Sequence, residues 1–149
     1  MEDINPMLNI LAKIPLFKDL SDDSKNLILN SITLQYFPKG HKVFNKGDAG
    51  DAMYIIKKGL VKIYLNDSDD PDEQTILAEL ADNAFFGEMA LVSEKPRNAN
   101  AVCMIDSEIF MLKKDDFNSL ITNNPSIAEQ ISTEFITRVK SNDQNPKMS

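Results

Sequence analysis

The chain has 149 residues, with 23 acidic and 16 basic side chains, a net charge of −7 and a hydrophobic fraction of 42%. Such a length suits one domain, able to bury about two-thirds of its unfolded surface. The acidic balance argues against a nucleic-acid surface, which needs clustered Lys and Arg, and no apolar run approaches the roughly 18 to 20 residues of a membrane span.

The opening MEDINPMLNI is acidic and lacks a basic n-region, which predicts no secretory signal and a cytoplasmic protein. Pro6 followed by Met7, Leu8, Ile10 and Leu11 predicts a short helix with proline in its first turn. In the stretch IPLFKDLSDDSKNLILNSI, Ser21 is the expected N-cap, Asp22 and Asp23 lie in the first turn, and Leu27, Ile28 and Ile32 form the apolar face.

From Thr33 to Leu112 the texture changes to short apolar runs separated by glycine and acidic turns. The fold class expected is mainly β with flanking helices, a jelly-roll-like β-roll of about eight strands. The strands fall at about 33–37, 41–45, 52–57, 60–65, 74–79, 84–86, 100–105 and 107–112. Asp115 or Asp116 is placed to cap a short helix through Phe117, Leu120 and Ile121. Asn124 and Pro125 open another that runs to about Lys140, with Ile127, Ile131, Phe135 and Val139 as a narrow stripe. Residues 1–140 read as one domain and 141–149, SNDQNPKMS, as a polar, disordered tail.

The stretch FFGEMALVSEKPRNANAV, residues 85–102, concentrates the chemistry. Phe85 and Phe86 end a buried strand, Gly87 permits a close backbone approach, and Glu88 to Val92 can form a helical turn whose free N–H groups suit an anion. Pro96 stiffens the chain ahead of Arg97, whose planar fork of donors matches a phosphate. The group suggested is one small phosphate. Glu88 and Arg97 could instead pair with each other across the loop, although desolvating both ions would make that a poor stabilising device.

Other residues offer less. Cys103 lies in the apolar run AVCMI and reads as an inert core thiol. His41 has no second His or Cys nearby, so no metal site is expected. The acidic run 67–73, DSDDPDE, lacks the glycine and glutamate of a calcium loop and reads as a solvated hairpin loop. With no Ser elbow, Cys–His pair or metal ligands there is no catalytic set, and the protein is expected not to be an enzyme.

The pattern Phe86, Gly87, Glu88, Ala90, Leu91, then Pro96, Arg97 and Ala99 resembles the phosphate-binding cassette of the cyclic nucleotide-binding domain family. The upstream run G-x-x-x-F-x-x-G-D-x-x-D-x-M-Y-I-I-x-x-G, from Gly40 to Gly59, and the segment IPLFKDLS are similar to that family as well. The resemblance covers roughly residues 14–140 and implies cAMP or cGMP as ligand, with no other cofactor. It implies that Arg97 grips the exocyclic phosphate, Glu88 accepts from the ribose 2′-hydroxyl, and the N–H groups of Met89 and Ala90 complete the cradle.

By the same resemblance Phe86, Gly87 and Ala99 flank the cradle, while Ile63 and Leu77 line the sugar and base pocket or are plain core. Asn98 replaces the family's small residue or threonine; it either contacts the ligand or faces solvent. Asn83 and Ala84 stand where many members have Gly-Asp, and asparagine tolerates the left-handed conformation. The terminal helix would be a lid reaching the base through Glu134, Phe135 and Arg138.

The expectation is therefore a stand-alone regulatory module, monomer or homodimer, acting on a protein effector in trans. Neither nucleic acid nor membrane is an expected partner. The alternative is a nucleotide-free β-roll used for protein binding.

Overall fold

The first five residues of β3 (Ala52–Lys58) are all buried, so this strand is covered on both faces. Successive side chains point to opposite sides of a strand. Met53 and Ile55 accordingly enter a core shared with helices, while Ala52, Tyr54 and Ile56 enter a second core between two sheets. The computed structural model describes residues 6–65 and 70–131.

One sheet has the order β1 (Thr33–Phe37), β8 (Ser107–Lys113), β3 and β6 (Phe85–Phe86). The other has β2 (Lys42–Phe44), β7 (Asn100–Cys103), β4 (Val61–Tyr64) and β5 (Ile76–Leu80). Every pairing is antiparallel. All eight expected strands form, with ends that differ from expectation by at most two residues. Val61, Ile63, Phe86, Ala101 and Ile109 fill the space between the sheets, the arrangement of a β-roll.

The helical core covers the other face of the β1-β8-β3-β6 sheet. α1 (Pro6–Lys13) starts at its proline, and α2 (Asp22–Asn30) is capped by Ser21, whose hydroxyl accepts from the Ser24 N–H at 3.2 Å. Leu11, Ile14, Phe17 and Ile28 are fully buried there against Phe117 of α3 (Lys114–Asn123) and Ile127 of α4 (Pro125–Gln130). The Phe17 and Phe117 rings lie 6.1 Å apart.

Two helix expectations need correction. Lys113 is the N-cap of α3 and, with no acceptor on its side chain, makes no cap bond; Asp115 and Asp116 fall inside the first turn, where their negative charges favour the positive end of the helix dipole. The last helix does not run through Ile131. It ends at Gln130, and Ile131 is extended, with φ −62° and ψ 135°.

Gln130 accepts from the Ser21 N–H at 2.9 Å, and Ile131 packs into the helical core. These two tertiary contacts anchor the end of α4 at Gln130. Residues 132–140 and the tail 141–149 lie outside the described residues, as do the expected lid residues Glu134, Phe135 and Arg138 and much of the acidic run 67–73.

Asn83 adopts φ +72° as its type allows, donating its N–H to Ile56 O at 2.7 Å to close the turn into β6.

Candidate functional site

Gly87 and Arg97 define the site by contact. Gly87 sits at φ +77°, between β6 and a four-residue 3-10 turn, Glu88–Leu91. A Cβ there would come within 2.9 Å of Arg97 Nη1 and 3.4 Å of the Ala52 carbonyl. Only glycine leaves the guanidinium this room.

Arg97 is 3% exposed. Its Nη2 donates to the Ala52 carbonyl at 2.7 Å and lies 3.6 Å from the Asp51 carboxylate. The guanidinium carbon stands 4.1 Å from the Phe44 ring centre and 5.7 Å from that of Tyr54. Tyr54 in turn stacks on Phe86, with ring centres 5.0 Å apart. Arg97 Nε and Nη1 and Asn98 Oδ1 are buried without hydrogen-bond partners.

Burial lowers the affinity of the guanidinium for its proton below the ordinary arginine value, with Tyr54 and Asp51 opposing the shift. The Tyr54 hydroxyl is pushed above its usual range, first by burial, against the pull of Arg97. Because the Asp51 side chain is 77% exposed, its attraction is screened and does little to offset the cost of burying the cation.

The backbone around Arg97 is held from the β2–β3 loop. Arg97 N–H donates to Asp48 O and Gly47 N–H to Arg97 O, both at 2.7 Å. Asn100 fixes the same loop, its Oδ1 accepting from Lys46 N–H at 2.7 Å and its Nδ2 donating to Tyr64 O and Leu65 O at 3.3 Å. On the outer side Lys114 Nζ holds Ser93 O at 2.8 Å and Glu94 at 3.1 Å.

Of the residues expected at the site, Met89, Ala90, Arg97 and Asn98 line one cavity of about 340 Å³ together with Lys46, Gly47, Gly50, Ser93, Lys95 and Pro96. Gly87 abuts the guanidinium, and Phe86 packs on Phe44 and Tyr54, the two rings beneath it. Ile63 and Ala99 are buried between the sheets and Leu77 is half-buried against them, so these three are core side chains in this conformation.

Glu88 points elsewhere: its carboxylate accepts from the Leu16 N–H at 3.4 Å, at the junction with the N-terminal helices. The ion-pair partner of Arg97 is Asp51 rather than Glu88. The Ala90 N–H is engaged by Gly87 O at 3.2 Å inside the 3-10 turn.

Phe44, Asp51, Ala52 and Tyr54, which cage the arginine, were not assigned to the site from sequence. All but Ala52 stand at specified positions of the upstream glycine-aspartate pattern, which is the signal that could have found them. Cys103 is 1% exposed and its thiol is pushed up by burial, in keeping with an inert core role. Among the described residues there is no His, Cys, Asp and Glu cluster able to hold a metal, and no helix long and apolar enough to cross a membrane.

A buried arginine short of partners therefore faces a glycine turn on an eight-stranded β-roll. The chain belongs to the cyclic nucleotide-binding domain family, whose sequence model matches residues 34–124. It is 30% identical over 129 residues to the cyclic AMP receptor protein of Thermus thermophilus, covering 87% of this chain and 59% of that protein. It is also 30% identical over 130 residues to a cGMP-dependent protein kinase of Caenorhabditis elegans, covering 85% of this chain and 16% of the kinase.

The N-terminal domain of a transcriptional regulator from Streptomyces coelicolor has the same fold, with a TM-score of 0.74 at 24% identity, covering 94% of this chain and 97% of that one. The chain thus spans less than two-thirds of the length of either of these curated relatives. These similarities also correct the exclusion of nucleic acid. An acidic surface speaks for this domain alone, and its relatives include transcriptional regulators.

Proposed function

We propose that this domain is a cyclic nucleotide receptor that binds cAMP or cGMP without catalysis and regulates an effector. The observation that carries the reading is Arg97, a 3% exposed cation whose Nε and Nη1 lack partners beside the Gly87 turn. A cyclic phosphate supplies the missing acceptors and outcompetes the screened Asp51 carboxylate.

As Arg97 moves to the phosphate, the 3-10 turn moves with it, and Glu88 leaves Leu16 for the ribose 2′-hydroxyl. Met89 and Leu91 of that turn belong to the helical core with Phe117, so the shift is passed to α3 and α4. The ligand biases this equilibrium by its differential affinity for the two arrangements.

A second reading, a nucleotide-free roll that binds protein, draws on the closed state of the cradle: Glu88 turned to Leu16 and the Ala90 N–H bonded within its own turn. Thermal unfolding with cAMP, cGMP and 5′-AMP separates the two. At a hundred times its dissociation constant a true ligand stabilises by about 2.7 kcal/mol, a rise of several degrees that Arg97→Ala abolishes. No shift with either cyclic nucleotide at millimolar concentration would leave the protein-binding reading.

A further inference from the structure

On the outer face of the β2-β7-β4-β5 sheet, away from Arg97, lies a cavity of about 240 Å³ whose walls include Lys39, Lys42, Lys62, Tyr64 and Gln74. Among the described residues no Asp or Glu lines it, although the chain as a whole carries a charge of −7. Lys62 is the unusual member. It stands in the middle of β4 and is 8% exposed. Among the described residues its ammonium contacts Gln74 Oε1 at 2.5 Å and the Tyr64 ring at 5.1 Å, both neutral groups. Glu79, directly across on β5, stays exposed.

Among the described residues this largely buried lysine has only neutral partners, and an anion entering the cavity would give its ammonium a counter-ion. The neighbouring backbone donors are committed: Gly40 N–H to Cys103 O, Cys103 N–H to His41 O and Met104 N–H to Leu60 O. Recognition therefore falls to the lysines, which act as point charges suited to phosphate. The cavity accommodates a compact group and is too small for a nucleotide held as in a full-sized ligand pocket.

We propose that this cavity binds a small, soluble phosphate-bearing anion, with Lys62 as the deep contact and Lys39 and Lys42 at the rim. Inorganic pyrophosphate is the probe, titrated by 1H–15N NMR into the Arg97→Ala variant so that the cassette does not report. Saturable shifts are expected at the amides of Gly40, Gln74 and Met104. Lys62→Met should weaken binding by about tenfold or more and exposed Lys42→Gln by about threefold, as for charged hydrogen bonds.

The variant Lys42→Gln keeps the test valid should Lys62→Met unfold. No saturable shift in the millimolar range, or equal affinity in the lysine variants, overturns the proposal. Tighter binding of hexaglutamate than of pyrophosphate also overturns it, in favour of an acidic protein segment.

Discussion

The guanidinium of Arg97 rests 4.1 Å from the centre of the Phe44 ring, 53 residues earlier in the chain by their numbers, 97 − 44. This contact holds the cation over the inter-sheet core. A desolvated cation–π pair contributes up to about 2 kcal/mol. Phe44→Leu keeps most of the apolar volume and loses the ring. Urea melts should show a loss of about 1–2 kcal/mol. If Arg97 leaves this position to meet the phosphate, the same variant binds cyclic nucleotide a few-fold more tightly by calorimetry, because the competing state is weaker. Weaker binding would contradict the arginine movement.

Arg97→Met removes the buried charge and fills the same space. Asp51 is left exposed rather than buried alone, and two unpartnered nitrogens, Nε and Nη1, disappear. The ligand-free variant should match or exceed wild-type stability by about 1–2 kcal/mol. A loss above roughly 2 kcal/mol would show that the cation–π and Ala52 contacts outweigh its desolvation.

Gly87→Ala places a side chain at φ +77° and within 2.9 Å of Arg97 Nη1. The left-handed backbone alone costs about 1–2 kcal/mol, and the clash displaces the arginine. Thermal unfolding is expected to fall by several degrees, together with loss of the cyclic nucleotide shift.

The pH dependence centres on Tyr54. Its pKa is raised by burial, so the neutral hydroxyl stabilises the fold; that contribution is fully present below about pH 10 and is lost as pH rises through the folded-state value. Between pH 9 and 11.5, on the order of the usual tyrosine range, wild type should lose stability more steeply than Tyr54→Phe. Parallel urea-melt profiles would remove Tyr54 as the source.

Asn100→Leu leaves Lys46 N–H, Tyr64 O and Leu65 O without their side-chain partner. A loss of about 1–3 kcal/mol is expected, with faster hydrogen exchange at Lys46 and Gly47 as the loop that carries Asp51 loosens.

Much of this was legible along the chain. The run AMYII was legible as a strand, Ser21 as a helix cap, and Pro6 and Pro125 as helix starts, because each is set by neighbours within a few residues. That Gly87 and Arg97 belong to one cassette was legible from spacing and chemistry, but not that they touch. Illegible were the direction of Glu88, which depends on a Leu16 N–H supplied by a segment 72 positions away, and the end of α4, where Gln130 reaches back 109 positions to Ser21.

By itself the sequence determined eight strands, their turns and a cassette with a phosphate-shaped arginine, since backbone periodicity and glycine conformations are local properties. Tertiary structure alone decided what the arginine touches. Its cage of Phe44, Asp51, Ala52 and Tyr54 comes from β2, β3 and the loop between them, joined to Arg97 across 45 residues at Ala52. A long cationic side chain has many rotamers, and which one survives is set by the acceptors and rings that distant strands bring within reach.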